Sequence, residues 1–125
     1  MPTESESSSV VNAHGVYDDG VLRIAATGKP SGLAIAGDID EDTYPALVRK
    51  LDELASADEI HLNLAGVQYC DVAGLRAITR LADAGRGRSS RRVVLHEVPP
   101  RLRTVLSILG WDSIPGLVIE HGTVG

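Results

Sequence analysis

The chain predicts an α/β domain, a mixed sheet of four to five strands with helices packed on it, and three observations carry that prediction. Stretches with strand patterning alternate with stretches whose apolar residues recur every three and four positions, in the order β-β-α-β-α-β-α-β. Glycine and proline mark the turns between several of those stretches, at Gly28 and Pro30, Gly85 and Gly87, Pro99 and Pro100, and Gly110. A length of 125 residues suits one continuous core and is too short for two ordinary ones.

Residues 1–15, with Ser7, Ser8 and Ser9 and no sustained periodicity, are expected to form a disordered tail. Residues 16–125 are expected to form the single domain. Val21 to Ala26, after Asp19-Gly20, and Gly32 to Gly37 read as two strands of a hairpin, with Gly28, Lys29, Pro30 and Ser31 turning between them. From Asp42 the period changes: Tyr44, Leu47, Val48, Leu51, Leu54 and Ala55 share one helix face. Pro45 fits at the start of that helix, where its missing N–H costs nothing. Glu59 to Leu64 alternates as a strand, and Asp71 is placed to cap a second helix that buries Leu75, Ile78, Leu81 and Ala82. Gly85 and Gly87 are expected to end it. Arg92 to His96 reads as a buried strand. Pro99-Pro100 opens a third helix with Leu102, Val105, Leu106 and Leu109 inward, Gly110 stops it, and Leu117 to Glu120 forms the last strand. Strands alternating with helices imply right-handed crossovers and a mostly parallel sheet after the hairpin, so a binding surface must be built from helix ends and loops.

Composition excludes several function classes. No apolar run approaches the roughly 18 residues of a membrane span, so membrane insertion is not expected. Met1 to Ser9 is Ser- and Glu-rich and lacks the basic start and apolar core of a secretory signal, and Cys70 is the lone cysteine, so a cytoplasmic, reducing location is expected. Twelve of the seventeen acidic residues lie at or before Glu59, while eight of the twelve basic ones lie from Arg76 to Arg103. Such a dipole steers charged partners, but aromatics are 3% of the chain with no Phe, and the net charge of −5 repels a polyanion, which argues against nucleic acid.

Catalytic and ligand motifs fail one after another. Asp38-Ile39-Asp40-Glu41-Asp42 copies the first ligand positions of a calcium loop, but Thr43 and Arg49 stand where that loop needs Gly and a bidentate Glu. His14, His61, His96 and His121 are scattered along the chain, and no zinc spacing is present. Gly37 follows a strand but is succeeded by Asp38 and Asp40, which repel phosphate, and Gly85-Arg86-Gly87 follows a helix, the wrong context for a nucleotide loop. Cys70 has no neighbouring His, no Ser sits in a nucleophile elbow, and a packed, inert thiol is expected. No enzyme activity, metal or cofactor is therefore expected.

One stretch remains, the strand-to-helix junction from Asn63 to Leu75, which reads N-L-A-G-V-Q-Y-C-D-V-A-G-L. It joins a carboxylate, small residues and a glycine at a helix start, where a partner's backbone can approach closely. It resembles the junction of the STAS domain, the family of bacterial anti-sigma factor antagonists, which typically reads D-L-S-x-V-x-F-x-D-S-S-G-L. Ala36-Gly37-Asp38-Ile39-Asp40 is similar to the family's G-E-I-D segment, and Ile108-Leu109-Gly110-Trp111 to its closing helix end. The resemblance covers about residues 16 to 121 and implies a STAS-like (SpoIIAA-like) fold. It also implies a partner: a kinase-like anti-sigma factor that phosphorylates a Ser or Thr just before the glycine and thereby releases the antagonist. Here that acceptor position is Ala73, preceded by Val72, and neither accepts phosphate. The surface implied for partner binding comprises Asp40, Asp71, Val72, Ala73 and Gly74 with nearby Arg76 and Arg80. Similar stand-alone domains serve as regulatory subunits of the ATPase of lipid-exporting ABC-type transporters, the alternative reading, and a homodimer is compatible with either.

Overall fold

The hairpin expected at the start of the domain forms from Leu22–Ala26 (β2) and Gly32–Ile39 (β3), antiparallel, with Ile24 opposite Ile35. This is a computed structural model that describes residues 16–27, 31–54, 56–84 and 91–120; the expected tail, the turn residues Gly28 to Pro30, Ala55 and the helix-ending Gly85 and Gly87 lie outside them. Tyr17–Asp18 (β1) precedes the hairpin and pairs antiparallel with β2. Then follow Tyr44–Asp52 (α1), Glu59–Cys70 (β4), Val72–Ala84 (α2), Arg92–His96 (β5), Pro100–Ile108 (α3), a 3₁₀ turn at Trp111–Ser113 and Leu117–Ile119 (β6). The strands lie in chain order, β1-β2-β3-β4-β5-β6, and β3 to β6 are mutually parallel. Each right-handed crossover therefore steps in the same direction, which puts all three helices on one face of the sheet.

The sheet has six strands where four to five were expected. The extra one, β1, is two residues long, too short to show a period. Side chains hold it: the Tyr17 hydroxyl donates to Asp19 Oδ2 at 2.6 Å, and Asp19 Oδ1 accepts the amides of Val21 and Leu22, both at 2.8 Å. A second departure is larger. β4 does not stop at Leu64 but continues to Cys70, and β3 to Ile39, because two single-residue bulges let the longer strand keep pace: Asn63 pairs with Ala34 and Gly66 with Ala36, Val67 with Gly37 and Tyr69 with Asp38. Each bulge breaks the two-residue alternation that marks a strand in sequence. At the end of α3, Leu109 is exposed, not inward. Leu102 and Leu106 fill the helix's buried stripe, and Leu109 is already the cap, followed by Gly110 at φ +75°.

On the helix-facing side, Leu22, Ile24, Ile35, Ile39, Leu47, Ile60, Leu62, Leu64, Leu75, Ile78, Leu95 and Leu106 form one fully buried core, each contributing about 1.5–3 kcal/mol by leaving water. α1 and α2 begin beside each other at the C-terminal ends of β3 and β4, where parallel sheets leave a crevice for ligands and partners. Among the described residues no helix is long and apolar enough to cross a membrane.

Two buried acids set the alkaline limit of this packing. Burial, then the hydrogen bond to Asp19, pushes the Tyr17 hydroxyl up to about 12; burial, then the charge of Asp71, pushes the Cys70 thiol up to about 12. The folded state thus retains protons that the unfolded chain gives up above about pH 8.5 (Cys) and about pH 10 (Tyr). Stability should be insensitive to both groups below pH 8 and fall as pH rises from 9 toward 12. Urea unfolding at pH 7.5, 9 and 10.5 measures this, with Cys70→Ser and Tyr17→Phe each removing part of the decline.

Candidate functional site

The ends of β3 and β4 are tied together backbone to backbone. Ile39 pairs with Cys70, and the Asp71 amide donates to the Ile39 carbonyl at 3.1 Å. Asp71 then turns the chain into α2: its Oδ1 accepts the Gly74 amide at 2.8 Å, and its carbonyl accepts the Leu75 amide at 3.1 Å. The expected cap is therefore present, and a carboxylate at this position is also favoured by the helix dipole. Gly74 is required by contact, not by dihedral angle. A Cβ there would run into Ile39 Cγ2 and come within 3.1 Å of Cys70 Sγ.

Asp40 stands at the matching place beyond β3, so the structure brings Asp40 and the Asp71-Val72-Ala73-Gly74 turn to one edge of the sheet. Its Oδ1 accepts the amides of Asp42 and Thr43 at 3.0 and 3.1 Å, while the Thr43 hydroxyl accepts the Asp40 amide at 2.9 Å and donates to the Asp38 carbonyl at 3.0 Å. The acidic loop is thus folded on its own amides. Among the described residues no group of three or more His, Cys, Asp or Glu side chains could hold a metal ion.

Between these anchors the surface is apolar. Val72 is 55% exposed and Tyr69 51% exposed, beside exposed Ala73. Tyr69 was not among the residues singled out from sequence, because the bulge after Val67 decides which way it faces. Next to it a cleft of about 660 Å³ opens between Val67–Cys70 at the end of β4 and Pro99, Pro100, Arg101, Leu102 and Val105 at the start of α3. Cys70 lines this cleft, but its raised thiol makes it a poor nucleophile at neutral pH.

Along α2, Ala73, Arg76 and Arg80 follow at helical spacing on the side away from the core. Arg76 is engaged within the chain: it pairs with Asp83 at 3.2 Å and lies 5.2 Å above the Trp111 ring. Arg80 is exposed and borders a second cleft of about 210 Å³, shared with Tyr44, Val48 and Asp52 of α1. The two arginines lean to opposite flanks of the helix. His61 and His96, far apart in sequence, are in contact on the opposite face of the sheet.

A family model described as "Mlab, STAS domain" matches residues 22–119, the span from β2 to the end of β6. The chain belongs to the STAS domain family. Its fold is that of solved anti-sigma factor antagonists. One, from Mycobacterium paratuberculosis, superposes with a TM-score of 0.65 at 16% identity, over 78% of this chain and 85% of that one. The antagonist SpoIIAA in its unphosphorylated form superposes with a TM-score of 0.60 at 14% identity, over 82% of this chain and 90% of that one. Comparison with curated protein sequences returns no match. In this STAS domain the end of β4, the capping Asp71 and the packed Gly74 of α2 lie within residues 63–75, the stretch that resembles the family's junction.

Replacing Gly74 by Ala should destabilise the STAS domain by about 1–3 kcal/mol, the usual cost of forcing a methyl group into a packed site. Ala73→Ser, at an exposed position on the same turn, should change stability by less than about 0.5 kcal/mol. Paired urea titrations distinguish the two.

Proposed function

We propose that this STAS domain is a protein-binding signalling module of the anti-sigma factor antagonist type, and that the start of α2 is its contact face for a kinase-like anti-sigma factor. The observation that supports it most is the combination at one turn of a capped, rigid backbone with side chains left open: Val72 and Tyr69 are half exposed beside the Asp71 carboxylate. Large exposed apolar groups grouped around a charge mark interaction surfaces more often than idle ones. Ala73 and Gly74 let a partner's backbone come close. Asp40 extends the face along the sheet edge, and Arg76 and Arg80 continue it along α2, Arg80 as a rim charge acting on association rate.

Ala73 occupies the position that a phospho-acceptor holds in the family pattern, and its methyl group cannot take phosphate. A phosphate there would add about two negative charges beside Asp71 and change both shape and sign at the contact. Without it the module binds constitutively, and the reading requires no catalytic step. The matched family model is not named for an antagonist, and the ATPase of a transporter stands as the second reading for the same face.

Calorimetry with a purified kinase-like anti-sigma factor from the same source tests the proposal. Asp71→Asn keeps the cap and removes the charge, whereas Asp71→Lys reverses it. Binding should weaken modestly in the first and by about 2 kcal/mol or more in the second, and Ala73→Ser should become a substrate of the partner's kinase where the unaltered chain is not. Binding unaffected by Asp71→Lys would place the contact elsewhere. Binding to a transporter ATPase, with none to the anti-sigma factor, would establish the second reading.

A further inference from the structure

Strand β4 outruns one of its neighbours. It pairs with β5 from Glu59 opposite Arg92 to Asn63 opposite His96, but with β3 as far as Cys70 opposite Ile39. Among the described residues no strand pairs with β4 on the β5 side beyond Asn63. The Ala65 amide is taken by Asn63 Oδ1 at 2.9 Å, which closes the ladder where β5 stops. From Gly66 to Cys70 that edge of the strand is open, and Gly66, Gln68 and Tyr69 are exposed. A strand turns the amide and carbonyl of alternate residues to each side, so this edge presents both donors and acceptors to whatever lies beside it.

The residues that follow β5 cannot fill the place. Glu97 takes φ +56°, which turns the backbone out of the extended line, and Pro99 and Pro100 have no N–H to give. They stand back instead and form, with the start of α3, the far wall of the cleft of about 660 Å³. Pro99, Pro100, Leu102 and Val105 make that wall apolar, and exposed Arg101 is the charged residue among those lining the cleft.

We infer that the open edge of β4 from Gly66 to Cys70 is a strand-addition site. It takes an extended segment of a partner protein that carries apolar residues at alternate positions and an acidic residue where the segment meets Arg101. The chemistry of the edge selects the occupant. A row of backbone donors and acceptors is matched along its length by another backbone lying about 4.8 Å away. Every second side chain of such a segment enters the cleft against Leu102 and Val105, and the others point to the face of the sheet that carries no helix, where polar residues suit. The Arg101 guanidinium complements a carboxylate on the segment. The site goes beyond the contact at the start of α2 and stands whichever ATPase docks there.

Calorimetry and nitrogen-15 NMR with an acetylated, amidated peptide of sequence D-V-T-V-T-V test the inference. The amide signals of Gly66 to Cys70 should shift, and exchange of the amides that face the cleft should slow about tenfold at a peptide concentration about ten times its Kd. Methylating the amide nitrogens of the second, fourth and sixth residues in one peptide, and of the third and fifth in another, blocks one edge of the added strand in each. One of the two should bind as the parent does and the other about tenfold or more weakly. Arg101→Glu should weaken binding of the parent and favour K-V-T-V-T-V, and an acid at a helix start does not endanger α3. Absence of binding at millimolar peptide would overturn the inference, as would shifts confined to β1 or β6, the outer edges of the sheet. Equal binding of the two methylated peptides would do so too, since side chains would then enter the cleft without a ladder. Protection of the same amides at high protein concentration without peptide would assign the edge to a second copy of the chain and overturn it equally. Asp71 lies beyond the paired stretch, so failure here leaves the calorimetric test at Asp71 intact, and failure there leaves this one.

Discussion

The pairing of β3 with β4, carried all the way from Gly32 opposite His61 to Ile39 opposite Cys70, is the constraint on which the rest of the structure depends. Two bulges in β4 are needed to keep the strands in register, and the reward is that both strands end together. The Asp71 amide then continues the ladder onto the Ile39 carbonyl before α2 begins. Because Gly74 packs directly on Ile39, the start of α2 is fixed to the sheet with no room for adjustment. The half-exposed side chains of Tyr69 and Val72 are therefore displayed on backbone that is tied to the sheet.

The sheet's two faces do different work. The helix side is closed by aliphatic residues whose burial supplies the driving force for folding. The other side has no helix to cover it and is kept from being an adhesive surface by small residues, Ala34 and Ala36, and by a polar row whose donors and acceptors satisfy one another.

Charge is arranged along the same lines. The acidic first half of the chain places Asp40 at the end of β3, where its carboxylate accepts the amides of Asp42 and Thr43. The basic second half supplies Arg80 and Arg101 on the helices that border the two clefts, and Arg92, which meets Glu59 across the sheet. The proposed contact face thus has a carboxylate at its centre and guanidinium groups toward its edges, a pattern that would orient a charged partner before contact.

Local patterning by itself determined the element order, the hairpin, the parallel continuation, the buried stripe of α2 and the cap at Asp71, because each of these is set within a few residues by period, proline, glycine or side-chain hydrogen bonding. The motif from Asn63 to Leu75 also located the turn at which the candidate face is built. Tertiary structure decided what depends on neighbours distant in sequence. The extension of β4 to Cys70 needs bulges that erase alternation, and β1 is too short to have a period. Leu109 faces solvent because the stripe of Leu102 and Leu106 was already sufficient. Arg76 is held by Trp111 and Asp83, not left free on the helix. The meeting of His61 with His96, thirty-five positions apart in the chain, was set by strand register alone: no local signal links two histidines on different strands, and only the pairing of β4 with β5 brings their rings together.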